Sequence, residues 1–141
     1  MVLDLPPTLQ KNGWSCGEAA ARCVFAYHER RAKLPHATAV DGTDPRSLEA
    51  AFRRAGLPVL SGSMDLDDLK HQTGKGKPVV CLVTEGATGH YVVVAGVAYR
   101  SVHYLDPLHG PKREPAAAFL ARWHDWDRHG ATFERWGISV G

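Results

Sequence analysis

Apolar positions follow two different rhythms along this chain. Up to about residue 77 they recur at helical spacing, and from Pro78 onward they run in β-branched blocks. Counting from Cys16, positions 19, 20, 23, 24 and 27 are Ala, Ala, Cys, Val and Tyr, an apolar stripe on the side that carries Cys16. The spacing predicts a helix over about 15–31, with Ser15 as N-cap and Glu18 completing a capping box. Glu18 and Arg22 stand four apart, in the order that favours an exposed ion pair. A second helix starts at Asp44-Pro45, turns Leu48, Ala51, Phe52 and Ala55 inward, and stops at Gly56. Residues 57–60 read as a short strand. A third helix opens around 63–69 with acidic residues in its first turn and ends in Gly74-Lys-Gly-Lys-Pro78, which lacks the spacing of a phosphate loop.

In the second half, 79–84 is a continuous apolar run, 86–89 is a glycine-flanked loop near His90, and 90–97 is apolar on both faces. Such a strand belongs in the middle of a sheet. Another strand covers 102–106 and ends at Pro107, which cannot donate to a ladder. Glu114-Pro115 opens a helix through Phe119, Leu120 and Trp123 that includes His124, and a last strand covers 132–140. Helices first and an antiparallel sheet after them make an α+β domain spanning 1–141, with no repeat or linker.

Composition narrows the function classes. A formal net charge of +2 gives no electrostatic footprint for nucleic acid. No apolar run reaches the roughly 20 residues of a membrane span. Asp4 and Pro6-Pro7 near the start do not form a signal peptide, so a cytoplasmic location is expected. The three cysteines, at 16, 23 and 81, fit no metal motif and suit a reducing compartment, and no cofactor is expected.

The chemistry concentrates at Gln10-Lys-Asn-Gly-Trp-Ser-Cys16. A thiol at a helix N-terminus meets unpaired backbone N–H groups and the positive end of the dipole, which favour the thiolate. Gln10 can bring an amide donor to the same spot. The plain alternative is a buried core thiol that happens to begin a helix. A nucleophilic cysteine needs a base, and there are eight histidines. His28 lies about three turns along the Cys16 helix, too far away. His36, His71 and His129 sit in polar loop or helix-end contexts. Of His90, His103 and His109, only His90 opens the buried strand, and a hairpin would set it beside Asp106 at the end of the next one. His103 and Asp106, three apart in one strand, point to opposite faces. Taken singly, His90 could be a strand-end histidine bonded to a carbonyl, and Asp106 an Asp-Pro turn former.

Gln10-x5-Cys16-Gly17, Gly89-His90-Tyr91-Val-Val-Val and Leu105-Asp106-Pro107-x-x-Gly110 together resemble the bacteriocin-processing, double-glycine leader peptidases, a branch of the papain-like cysteine peptidases. Phe119-x3-Trp123 resembles the tail of that family and residues 48–57 its second helix. The resemblance implies a papain-like fold with the nucleophile's helix packed on an antiparallel sheet. It also implies Cys16 as nucleophile, His90 as general base, Asp106 as its orienting residue and Gln10 as oxyanion donor, acting on a peptide or isopeptide bond. An acid or amide commonly precedes the nucleophile in that family, whereas Ser15 stands here. Trp14 either lines a substrate groove or seals the lead-in loop, and Gly89 borders the same site. The rival readings are cell-wall peptide cleavage of the phage endolysin type, a catalytically dead peptide-binding module, and a metal site drawn from His103, His109, His124, Asp125, Asp127 and His129. Cys23 and Cys81 are expected to be inert core thiols.

Overall fold

The computed structural model describes residues 2–35, 37, 42–86, 88–126 and 132–141, so His36, Asp127 and His129 lie outside the described residues. The elements are α1 (Cys16–Tyr27), α2 (Pro45–Arg54), β1 (Val59–Ser63), α3 (Leu66–Gly74), β2 (Val79–Glu85), β3 (Thr88–Ala98), β4 (Ser101–Asp106), β5 (Gly110–Pro115), α4 (Ala116–Arg122), β6 (His124–Trp126), β7 (Thr132–Glu134) and β8 (Trp136–Val140). Six strands form one sheet in the order β1-β8-β2-β3-β4-β5, and β6 and β7 form a separate pair. Every pairing is antiparallel.

The doubly apolar sequence of β3 has its explanation in the layers. One face of the sheet, with Tyr91, Val93, Leu105 and Ile138, packs on Ala20, Val24, Phe25, Leu48 and Phe52 of α1 and α2. The other, with Val83, Val92, Val94 and Tyr104, packs on Leu69, Phe119 and Trp123 in and beside α3 and α4. The burial of α1 is wider than its stripe, because Ala21 and Phe25 are buried as well. Phe25 meets the ring of Phe52 edge-on at 5.5 Å, so α2 covers a side of α1 that the sheet does not.

Several boundaries differ from the sequence expectation, each for a local reason. Helix α1 stops at Tyr27 rather than near 31, because Glu29 takes a left-handed φ of 55° and Arg30 N–H donates back to Phe25 O at 2.8 Å. Ser15 makes no side-chain cap bond. The capping box is found instead on α3, between Asp65 and Asp68. His124 belongs to a strand, not to a continued helix, since α4 ends at Arg122. The final strand is broken at Arg135, whose φ is 50°, so β7 turns away to pair with β6. Strand β5 carried no apolar signal because it is a sheet edge, with Pro111, Lys112, Arg113 and Glu114 discouraging further pairing.

One irregularity governs the site. Tyr99 and Arg100, both with positive φ, form the two-residue turn between β3 and β4. From it the ladder runs Ala98↔Ser101, Val97↔Val102 and Gly96↔His103, then resumes at Val94↔Tyr104 and Val93↔Leu105, leaving Ala95 as an extra residue. Its carbonyl accepts from Leu3 N–H at 2.8 Å, which fastens the lead-in segment to the sheet. A regular ladder from the same turn would set Asp106 opposite Val93. The bulge sets it opposite Val92, on the face that His90 shares.

Candidate active site

His90, in the first turns of β3, is buried, with 6% exposure, although its neighbour Gly89 is exposed. Its Nε2 bonds Asp106 Oδ1 at 2.7 Å. The Cys16 thiol acts on the same ring and pulls its pKa upward. With Nε2 committed to Asp106, the nitrogen left for sulfur is Nδ1. Cys16 arrives at the N-terminus of α1, half-buried, from the layer opposite the one beneath His90. The helix comes this close because residue 17 is glycine, and a Cβ there would stand 2.6 Å from Thr43 Cβ. Tyr91 O–H donates to Thr43 O at 2.8 Å, which ties the start of α2 to the sheet under the same helix end.

Asp106 is 1% exposed and well supplied with donors. Leu108 N–H donates to Oδ1 at 2.8 Å, and His109 Nδ1 lies 3.3 Å from Oδ2. Burial alone would raise its pKa, but the bonds from His90 and Leu108 outweigh that and hold it well below the usual 3.8. For His90, burial pulls downward, while Asp106 and Cys16 pull upward and prevail, raising it from 6.5 to about 9. The imidazolium therefore persists through neutral pH. Burial pushes Cys23 up to about 12 and Cys81 well above its ordinary value, which keeps both as thiols.

Gln10 reaches this site through its backbone. Its N–H donates to Pro107 O at 2.7 Å, and Arg22 Nη2 donates to Leu9 O at 3.0 Å. Its carboxamide is folded back on the loop, with Nε2 donating to Asn12 O at 2.6 Å and Oε1 buried without a hydrogen-bond partner. Ser15 organises that loop, because its Oγ accepts from Lys11 N–H at 3.0 Å and Asn12 N–H at 3.1 Å. This is where the hydroxyl expected to cap α1 is spent. Trp14 stands 42% exposed two residues before Cys16.

Three further groups border the site beyond the expected four. His109 sits behind Asp106. Asp125 of β6 lies over Gly89, where an added methyl would fall on its carboxylate. Glu85, at the end of β2, brings Oε2 to 3.7 Å from His90 Nε2. The hairpin register could have found Glu85, because Val83 pairs with His90 and Glu85 lies two residues further on the same face. Glu85, His90 and Asp106 put three ligand-type atoms within 4.8 Å of one another. The 2.7 Å contact between His90 and Asp106 is shorter than the roughly 3.3 Å between two ligands on a tetrahedral zinc.

Helices packed on an antiparallel sheet, with a cysteine at a helix start and a buried, hydrogen-bonded histidine–aspartate pair at the end of the sheet, are the arrangement of a papain-like cysteine peptidase. Residues 4–126 match the Peptidase C39 family, and the chain belongs to that family and is a cysteine peptidase. Among solved structures, a double-glycine-motif protease from an AMS/PCAT transporter, crystallised in complex with the leader peptide, superposes with a TM-score of 0.77 at 20% identity, covering 99% of this chain and 92% of that one. The peptidase domain of Streptococcus ComA, a bi-functional ABC transporter involved in a quorum-sensing pathway, gives 0.74 at 18% identity, with 96% of each chain covered. The Streptococcus mutans ComA peptidase domain with a small-molecule inhibitor gives 0.69 at 19%, covering 96% and 98%. No curated protein matches the sequence. Among the described residues no helix is long and apolar enough to cross a membrane.

Proposed function

We propose that the chain cleaves a peptide of the leader type through a Cys16–His90–Asp106 triad. The observation that carries this reading is the 2.7 Å bond from His90 to buried Asp106, with the Cys16 thiol raising the pKa of the same ring. The Cys16 thiolate attacks the scissile carbonyl carbon, and the carbonyl electron pair moves onto oxygen. That oxyanion is met by the Cys16 backbone N–H, free at the first turn of α1, and by the Gln10 amide once it leaves Asn12 O. His90 gives its proton to the leaving nitrogen as the C–N bond breaks, which leaves a thioester on Cys16. Water, deprotonated by His90, then releases the carboxylic acid and restores the thiol.

The substrate class follows from the family and from the leader peptide bound by the structural neighbour. Exposed Leu9, Trp14 and Leu108 flank the loops around Cys16 and Asp106 and offer apolar contacts to a peptide. Incubation with a library containing double-glycine leader peptides and cell-wall peptides tests both reaction and substrate. Cleavage after the double glycine, lost in Cys16→Ala, is the expected result. Full activity in Cys16→Ala would sink the mechanism, and cleavage of only the cell-wall peptides would sink the substrate. A binding module without chemistry is tested separately by iodoacetamide at pH 6, which should label Cys16 well ahead of Cys23 and Cys81.

A further inference from the structure

We propose that Glu85 is a second positioning carboxylate for His90, sharing its Nε2–H with Asp106 and receiving it when the ring tilts during proton transfer. The inference rests on the reading of His90 as the base. Glu85 Oε2 lies 3.7 Å from the nitrogen that Asp106 Oδ1 holds at 2.7 Å. That oxygen is itself buried and has no hydrogen-bond partner, although the Glu85 side chain as a whole is 37% exposed. A buried carboxylate oxygen without a donor is costly unless a positive charge faces it. Among the described residues, the cation that faces Glu85 is the His90 imidazolium. Asp106, by contrast, already has Leu108 N–H and His109 as further partners, so it can release the His90 proton without being left bare.

The two carboxylates differ in rigidity. Asp106 is fixed at the β4–β5 turn, whereas Glu85 hangs from the end of a hairpin closed by Glu85↔Thr88. A base that passes a proton from sulfur to a leaving amine must turn slightly between the two. A carboxylate standing just outside hydrogen-bond distance catches Nε2–H over that arc and preserves the tautomer in which Nδ1 faces the reacting atoms. The groups facing His90 are Cys16 from α1, Asp106 from β4 and Glu85 from β2. His109 stands behind Asp106, and Asp125 of β6 lies over the adjacent Gly89.

The titration arm reads the free enzyme and does not depend on the substrate, whereas the kinetic arm does. The His90 ring is titrated by NMR in the wild type and in Glu85→Gln, and kcat/KM for a leader peptide is followed against pH in Glu85→Gln, Asp106→Ala and the double variant. In Glu85→Gln the His90 midpoint should fall by about half to one pH unit, the size expected for a screened charge near 4 Å. The alkaline limb of kcat/KM should move with it. Asp106→Ala should keep at least about tenfold more activity than the double variant. A His90 midpoint that does not move in Glu85→Gln overturns the proposal, as does an Asp106→Ala enzyme no more active than the double. Failure to cleave a leader peptide counts against the substrate reading and leaves the titration result standing.

Discussion

Ser15 has the shape of a helix cap and the work of a loop clamp. Its hydroxyl accepts two backbone N–H groups, from Lys11 and Asn12, in the loop that presents Gln10. Removing an acceptor from part-buried N–H groups costs about 1–3 kcal/mol. Ser15→Ala should therefore lower stability by about that much and kcat by more than it raises KM, because Gln10 is asked to act at the oxyanion rather than in ground-state binding. Steady-state kinetics together with chemical denaturation separate the two effects. A fall in stability with kcat untouched would show the clamp to be structural alone. Gln10 is the one proposed catalytic residue whose side chain is turned elsewhere, and its buried, unpartnered Oε1 makes that a poor resting place. A substrate carbonyl would give the amide a better one.

At the scale of elements, the site was legible wherever chemistry and chain punctuation coincided. The proline after Asp106 follows a strand end, and a hairpin brings His90 and Asp106 together, although Thr88 and Gly89, expected in a loop, already belong to β3. Three features were illegible for physical reasons. The end of α1 depends on a left-handed glutamate, a residue that gives no such signal. Edge strand β5 is polar because its outer side must stay unpaired. Glu85, at the end of β2, carries no local signal that separates it from a solvated acid, and Asp125, in the middle of β6, reads in sequence only as one of several candidate metal ligands. The Ala95 bulge was hidden too, since nothing in Val-Val-Val-Ala-Gly-Val marks the extra residue. It allows a counterintuitive prediction. Deleting Ala95 removes the one unpaired residue and leaves Gly96↔His103 next to Val94↔Tyr104, so every partner keeps its face. The shortened protein should retain activity within about tenfold, with a modest loss of Tm from the missing Leu3 anchor. A folded but inactive deletion variant would refute the register account.

For the whole molecule, the sheet lies between two helical layers, and the proposed catalytic residues come from different parts of that sandwich: Cys16 from one layer, His90 and Asp106 from the end of the sheet. Their electrostatics thus report on global folding. His90 is raised from 6.5 to about 9, so its contribution to stability is complete below about 6.5 and is lost as pH climbs through about 9. Asp106 is held below 3.8, so its contribution is present above about 3.8 and is lost as pH falls below that. The pair should favour the folded state most between about pH 4 and 6.5. Denaturant midpoints measured from pH 6.5 to 9.5 should decline in the wild type and stay flatter in His90→Gln, and equal slopes would refute the coupling. Because Ala95 occupies no partner, shortening the interval between His90 and Asp106 from sixteen residues to fifteen should move neither side chain. The chemistry then depends on which side chains face one another, and the number of residues between them is a separate quantity that the deletion variant measures.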